Sequence, residues 1–277
     1  MTDEEWNQYL IKIYRCQPAC TPEVFAKHSS NSGASSYETM AQVIRSLSRS
    51  GDTVVDLGSG SGYLLHYLKD PALNLSQIVA VDMSASELAI SKTEHKHDPR
   101  VEFIEAFAQD LPMKSGSVNL IAAHLTLMLM RPLDTALDEI HRVLHPKGVL
   151  VAITPTASQP NQAFQDLNQV VQDAYARSGP SINPSSMSSD FAGETAIRET
   201  VLSAKIRLQM YEEFNLNMEL TEDELWEFYR STVIVNQLPS EAQRELRKAI
   251  LLKAKPQLSV GKKVLLQLPL AIWTANK

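Results

Sequence analysis

The run Val54-Val55-Asp56-Leu57-Gly58-Ser59-Gly60-Ser61-Gly62-Tyr63-Leu64-Leu65 limits what this chain can fold into more than any other stretch. It opens apolar and β-branched, as a strand buried on both faces does. It then breaks into three glycines at alternate positions and resumes as an apolar run able to start a helix, expected over residues 63–69. Glycine allows a tight turn with positive φ and lets a ligand lie against the backbone. A strand, a glycine turn and a helix N-terminus in succession present N–H groups to a polar ligand. Asp82 closes the next apolar run, Ile78-Val79-Ala80-Val81. A carboxylate at that place, the end of a second strand, can accept both hydroxyls of a ribose.

Further segments follow in order: Val101-Glu102-Phe103-Ile104, Ala108-Gln109-Asp110-Leu111-Pro112, Ser117-Val118-Asn119-Leu120-Ile121, and Glu139-Ile140-His141-Arg142-Val143-Leu144-His145-Pro146-Lys147-Gly148. Between the strands lie helical patterns. Leu133, Ala136, Leu137, Ile140, Val143 and Leu144 form one apolar stripe, and Ser84 with Glu87 marks a capping box into another helix. Five strands alternating with helices predict a parallel, doubly wound α/β sheet.

Together these segments resemble the motifs of class I S-adenosylmethionine (SAM)-dependent methyltransferases, specifically the small-molecule enzymes related to ubiquinone/menaquinone-biosynthesis methyltransferases. The resemblance is strong over residues 51–154 and holds only in outline on the flanks. The glycine motif is Asp-x-Gly-x-Gly-x-Gly, with Asp56 inside the strand; Tyr63 stands where a dinucleotide enzyme would want its third glycine. The resemblance implies a Rossmann-like, mostly parallel seven-stranded sheet with a helical cap, and SAM as cofactor. Asp56, Gly58, Gly60 and Gly62 would hold the methionine end, with Tyr37 reaching it. Asp82 would hold the ribose, Met83 an adenine face, and Phe107 with the Ala108 N–H the adenine edge. Relatives carry Gly-Asp-Ala-x-x-Leu-Pro where this chain has Ala106-Phe107-Ala108-Gln109-Asp110-Leu111-Pro112. Phe107 therefore replaces the Asp that binds the adenine amino group, and Gln109, Asp110, a carbonyl or water must take over that contact. His124 ends the fourth strand near the cofactor, as a general base or as scaffold, with His28 next in line.

Bulk properties narrow the partners. A chain of 277 residues with net charge −6 and no long basic block argues against a nucleic-acid surface. Cys16 and Cys20 have no matching Cys or His pair, so no metal site is expected. The acidic N-terminus lacks a signal-peptide pattern, and no apolar run approaches the ~20 residues that cross a bilayer. The expectation is a cytoplasmic protein with a small-molecule substrate, no nucleic-acid or membrane partner, and at most a second copy of itself in a homodimer.

Outside the motifs, residues 1–50 read as N-terminal helices and a lid segment, and residues 51–277 as the methyltransferase domain. Residues 16–34 read mainly as a linker, with a lid over the cofactor as the alternative. Ser35 with Glu38 caps a helix carrying Tyr37. Residues 155–193 (a helix with Phe164, Leu167, Val171, Ala174 and Tyr175, then a Ser-rich loop) and 221–256 are expected to elaborate the active site. Thr221 with Glu224, and Ser240 with Gln243, give capping boxes. Trp226, Phe228 and Tyr229 are either a packed helical face or an aromatic pocket. A final strand over residues 264–273 is interrupted by Pro269.

Methyl transfer from SAM to an O, N or C atom of a small, apolar or aromatic metabolite leads these readings. A non-catalytic SAM-binding protein stays open because of Phe107. A nicotinamide oxidoreductase fits the glycine spacing and later motifs less well. A nucleic-acid methyltransferase would want Asn/Asp-Pro-Pro-Tyr or a Cys where this chain has Ala122-Ala123-His124-Leu125.

Overall fold

Five runs of aliphatic residues form the parallel centre of an eight-stranded sheet in the computed structural model, which describes residues 1–178, 189–259 and 261–277. Most of the Ser-rich loop expected at 178–190 thus lies outside the described residues. The strands are β1 (Ser29–Ser30), β2 (Thr53–Leu57), β3 (Gln77–Asp82), β4 (Val101–Glu105), β5 (Val118–His124), β6 (Leu144–Pro155), β7 (Arg207–Leu220) and β8 (Val264–Asn276), in the order β1-β7-β8-β6-β5-β2-β3-β4. Strands β2 to β6 pair in parallel, whereas β7 and β8 join antiparallel. The count exceeds the expected seven because Ser29 and Ser30, inside the stretch read as linker, pair with Asn217 and Leu216. A two-residue strand has no periodicity to announce it; its partner lies far along the chain.

The parallel strands are apolar on both faces. Val54, Ile78, Ala80, Leu120 and Ala122 join one core, and Val55, Val79, Val81, Ile121 and Ala123 the other. This is the period-two alternation of a sheet covered on both sides. Asp56 and His124 keep the parity of Val54 and Ala122, so both point toward the face covered by α3 (Ser36–Leu47). The strand order reverses at β2, between β5 and β3, which opens a crevice outside the carboxyl ends.

Around the sheet run α1 (Asp3–Cys16), α2 (Cys20–Phe25), α4 (Leu65–Leu68), α5 (Ala85–His95), α6 (Leu133–Val143), α7 (Gln162–Ser178), α8 (Glu194–Ser203), α9 (Glu222–Arg230), α10 (Val233–Asn236) and α11 (Ser240–Ala254). Reciprocal capping boxes form at Ser35/Glu38 and Thr221/Glu224. Ser240 differs: it is the first helical residue after an N-cap at Pro239, and the Gln243 amide donates instead to the Leu238 carbonyl at 2.9 Å.

Pro269 does not interrupt β8, which runs on through it. Pairing of β8 with β6 ends at Leu270 opposite Pro155, and the Pro269 carbonyl accepts from Thr156 N–H at 3.2 Å. Pro269 thus turns its missing N–H toward a side where no strand continues, the place a sheet tolerates proline. Beyond that point the β7–β8 ribbon extends past β6, with only the two-residue β1 beside β7, and Leu216, Met218, Val264 and Leu266 join one core with Leu225, Phe228 and Ile250 of the following helices. Trp226, Phe228 and Tyr229 are all buried there, with the Phe164 ring 6.1 Å from that of Phe228. They form a packed helical face.

Candidate cofactor and active site

The crevice is lined by the glycine turn, the ends of β3 and β5, residues 106–109, and α1 and α2 from the N-terminus. The three glycines turn with φ of +69°, +53° and +85° at Gly58, Gly60 and Gly62. Their surroundings differ. A Cβ at Gly58 would lie 2.2 Å from Thr126 Oγ1, and one at Gly62 would lie 2.1 Å from Ser91 Oγ. At Gly60 the nearest atom would be Glu87 Oε2 at 3.8 Å. Gly58 and Gly62 are therefore required by the protein's own packing, whereas Gly60 keeps its surface open to the crevice.

The turn's N–H groups are less available than the strand–turn–helix pattern suggests. Gly58 and Ser59 donate to the Val81 carbonyl, Gly62 donates to Ser59, and Gly60 donates to Asp82 Oδ2 at 2.8 Å. Ser61 N–H has no acceptor among the described residues. The helix expected over 63–69 shrinks to the single turn of α4, with residues 62–64 still turning. A carboxylate would thus meet a glycine turn here rather than the end of a long helix.

Three carboxyl groups face the crevice. Asp56 is 2% exposed and its Oδ2 has no hydrogen-bond partner among the described residues, as is true of the buried Ser59 Oγ. Burial, then the neighbouring Asp82, pushes Asp56 up to about 8. Burial also raises Asp82, against the N–H groups of Ser84, Gly60 and Met83 that favour its charged form. Glu87 is raised to about 7, first by burial, with the Ala19 N–H opposing and Asp82 adding to the rise. Among the described residues none of the three carboxyls has a countercharge, so a cation in the crevice would relieve all three.

Glu87 is the residue the sequence undersold. Read as half of a capping box, it does have its N–H bonded to Ser84 Oγ at 3.5 Å. Its carboxylate does not return to Ser84, whose N–H is taken by Asp82 Oδ1 at 2.8 Å. It accepts instead from Ala19 N–H, at 3.0 and 3.2 Å to its two oxygens. Ala19 is left-handed (φ +59°) and begins α2, so Glu87 ties the N-terminal segment to the crevice. Thr21 and Pro22, within the stretch read mainly as linker, consequently line the site.

From α1, Asn7, Leu10 and Tyr14 close the same side. Trp6 fastens this cover by donating to the Leu129 carbonyl at 2.7 Å, and Tyr9 donates to the Val233 carbonyl of α10 at 2.8 Å. Among the described residues, 155–193 and 221–256 contribute nothing to the lining. They brace the cover through α10, whose Val233 carbonyl accepts from Tyr9 and whose Asn236 accepts from Gln17 at 3.1 Å. Of the two segments expected over the crevice, residues 1–50 line it and, among the described residues, 221–256 do not.

His124 sits in a setting unlike that of a general base. It is buried, its Nε2 pairs with Ser36 Oγ at 2.9 Å, and Tyr37 stacks on it with ring centres 3.9 Å apart. Burial lowers its pKa to about 3, so the ring stays neutral with one nitrogen committed. Such a base has little driving force to take a proton near neutrality. Both His124 and Tyr37 line the crevice, where they shape its wall beside Asp56.

At the opposite end, Phe107 stands on the rim, 38% exposed. Ala108 and Met83 also line the crevice; Met83 packs against Trp6 and Leu10 as well. Of the two substitutes for the missing Asp, Gln109 lines the site and Asp110 does not. The Gln109 amide nitrogen donates to the Arg131 carbonyl at 2.8 Å, which keeps its carbonyl oxygen as the acceptor. Leu125, Leu129 and Met130 add apolar wall.

This donor set fits SAM: an unpaired buried carboxyl oxygen for the ammonium, an open glycine for the backbone-hugging tail, Asp82 at the strand end for a diol, and an excess of acid facing a sulfonium.

Comparison with known proteins agrees. The methyltransferase domain family matches residues 55–152. The chain is 30% identical over 122 residues to the malonyl-[acyl-carrier protein] O-methyltransferase of Pectobacterium atrosepticum, covering 43% of this chain and 46% of that one. It is 32% identical over 104 residues to the ubiquinone/menaquinone biosynthesis C-methyltransferase UbiE of Campylobacter jejuni, covering 36% and 43%. The chain thus spans under half the length of these curated relatives. Among solved structures, a Bacillus halodurans C-125 protein with a provisional methyltransferase name superposes with a TM-score of 0.62 at 15% identity, over 87% of this chain and 98% of that one. The [4+2]-cyclase SpnF superposes with a TM-score of 0.60 at 18% identity, over 100% and 96%. Likeness at that identity concerns the fold alone. Among the described residues, no helix is long and apolar enough to cross a membrane.

Proposed function

We propose that this chain, whose residues 55–152 are a class I SAM-dependent methyltransferase domain related to UbiE, transfers a methyl group to a small, apolar or aromatic metabolite. The observation that carries this reading is the unpaired Asp56 Oδ2 beside Gly60, whose surface is open, with Asp82 opposite. Bound SAM supplies a methyl group already activated on a sulfonium. The chain's own work is then to bind, align and keep the site dry. Asp56 takes the ammonium and Asp82 the ribose hydroxyls, while its bonds to Gly60 and Ser84 hold the turn in shape. Phe107 covers the base and Gln109 accepts from its amino group. Leu10, Leu125, Leu129 and Met130, with Asn7 as the polar mark, wall the acceptor side. Catalysis rests on positioning, with His124 and Tyr37 as a fixed wall.

Calorimetry with SAM and with NAD, followed by transfer of labelled methyl from SAM to a metabolite extract, tests this. SAM binding with a labelled small-molecule product supports it. NAD binding in place of SAM overturns the cofactor assignment. SAM binding with no labelled product across extracts overturns the transferase in favour of a SAM-binding protein.

A further inference from the structure

Behind the glycine turn, on the side away from the crevice, His66 of α4 meets Glu94 and His95 of α5. Glu94 Oε2 lies 3.5 Å from His66 Nε2 and 3.9 Å from His95 Nε2. One donor atom from each of the three side chains falls within 4.8 Å of the others. We infer that His66, Glu94 and His95 form a divalent transition-metal site that braces α4 against α5 beneath the glycine turn.

An ordinary ion pair accounts for His66 and Glu94, whose side chains are about half exposed, at 49% and 50%. It does not account for His95. That side chain is 0% exposed, and neither ring nitrogen has a hydrogen-bond partner of good geometry among the described residues. The Gly62 backbone lies close enough to act on the ring. A buried polar atom left unpaired is destabilising, and a metal ion relieves this for the nitrogen turned toward Glu94.

The chemistry suits such an ion. Two imidazoles and a carboxylate are a set that Zn²⁺ and its neighbours accept, with a fourth position left to water on the exposed side. Bonds of about 2.0–2.2 Å at tetrahedral angles separate ligand atoms by roughly 3.3–3.5 Å. The His66–Glu94 distance is already there. The remaining adjustment falls to His66 and Glu94, which stand on the surface and can turn, while His95 is fixed by its burial.

The site is tied to the cofactor turn by contact. His95 Cδ2 would be 3.0 Å from a Cβ at Gly62, and the His66 and His95 ring centres lie 4.7 Å apart. A metal ion here would hold the back of the turn in place. The sequence carries no hint of it, because a pair of adjacent residues and a histidine 28 positions earlier match no ligand spacing.

The test titrates tag-free, chelator-treated protein with Zn²⁺ by calorimetry and with Co²⁺ by visible absorption. Wild type should bind one ion, show the d–d bands of a low-coordinate Co²⁺ site, and melt at a higher temperature with Zn²⁺. His66→Ala and Glu94→Gln, both at surface positions that leave the fold intact, should each weaken binding at least tenfold and lose the Co²⁺ bands. Hydrogen exchange over residues 58–64 should slow with Zn²⁺ in wild type only. The proposal is overturned if wild type takes up no Zn²⁺ at millimolar concentration. Wild-type binding in both variants overturns it too, as does loss of binding in Cys16→Ser or Cys20→Ser instead.

Discussion

Asp56 gives the most searching test of the cofactor site, through pH. Burial and Asp82 raise its carboxyl from an ordinary 3.8 up to about 8. In the free protein it is largely protonated at pH 6, and it can pair with an ammonium only after that proton leaves. If the complex holds the carboxylate, binding releases one proton, and SAM affinity rises about tenfold per pH unit until pH 8. At pH 6 the deficit is about 100-fold, or about 2.7 kcal/mol at 1.36 kcal/mol per unit. Near pH 8 the gain stops, because the ligand's α-amino group begins to lose its own proton at about 7.7–8.0. Affinity should therefore peak close to pH 8.

Calorimetry at pH 6, 7 and 8, in buffers of different ionisation enthalpy, reads both the slope and the proton count. Glu87, raised to about 7, faces the same crevice and adds its own contribution, so the decisive comparison is Asp56→Asn, which should bind weakly and lose one unit of slope. The unliganded protein should respond in the opposite sense. A folded-state pKa above the unfolded value gives stability that is full below about pH 4 and declines as pH rises to about 8. Unliganded Asp56→Asn should accordingly melt above wild type at pH 8. A wild-type affinity that stays flat from pH 6 to 8, or a slope unchanged in Asp56→Asn, refutes the assignment.

The glycines should separate by what surrounds them. Gly60→Ala should cost only the left-handed strain of about 1–2 kcal/mol yet abolish SAM binding, whereas Gly58→Ala should add about 1–3 kcal/mol of overpacking against Thr126 and show it as a lowered Tm. Glu87→Ala should free Ala19, weaken SAM by about 1.5–3 kcal/mol, and speed hydrogen exchange at residues 17–22; unchanged exchange there would dismiss the tie. Asp82→Ala should weaken SAM by a similar amount, and normal binding by a folded variant would rule out the ribose assignment. His124→Gln, which can still bond Ser36, should retain turnover within about tenfold, and a loss beyond about 100-fold with SAM binding intact would restore His124 as a base.

Much of the site is legible in the order of the residues alone. The run from Val54 to Leu65, the acid at Asp82 and the ordered segments that follow lead to a parallel sheet, a crevice at β2 and a SAM-like ligand, because each signal is local: alternation, glycine, and a carboxylate closing an apolar run. Local signals are weaker where a residue has a choice of partner. Ser84 and Glu87 spell a capping box, yet Glu87 takes Ala19 because Asp82 already holds the Ser84 N–H. Pro269 looks like a break, yet β6 ends beside it. Residues 221–256 look like a roof, yet the extended β7–β8 ribbon presents them an apolar face of its own.

The sequence by itself determined the strands, the glycine turn and the acids, since their chemistry is carried within a few neighbours along the chain. Only the tertiary structure decided that α1 and α2 cover the crevice, that Asp56 keeps an unpaired oxygen, and that His124 is pinned by Ser36 and Tyr37. It alone set His66 beside His95. Burial, and the pKa shifts that follow from it, depend on which distant residues exclude water, and no spacing along a chain records that.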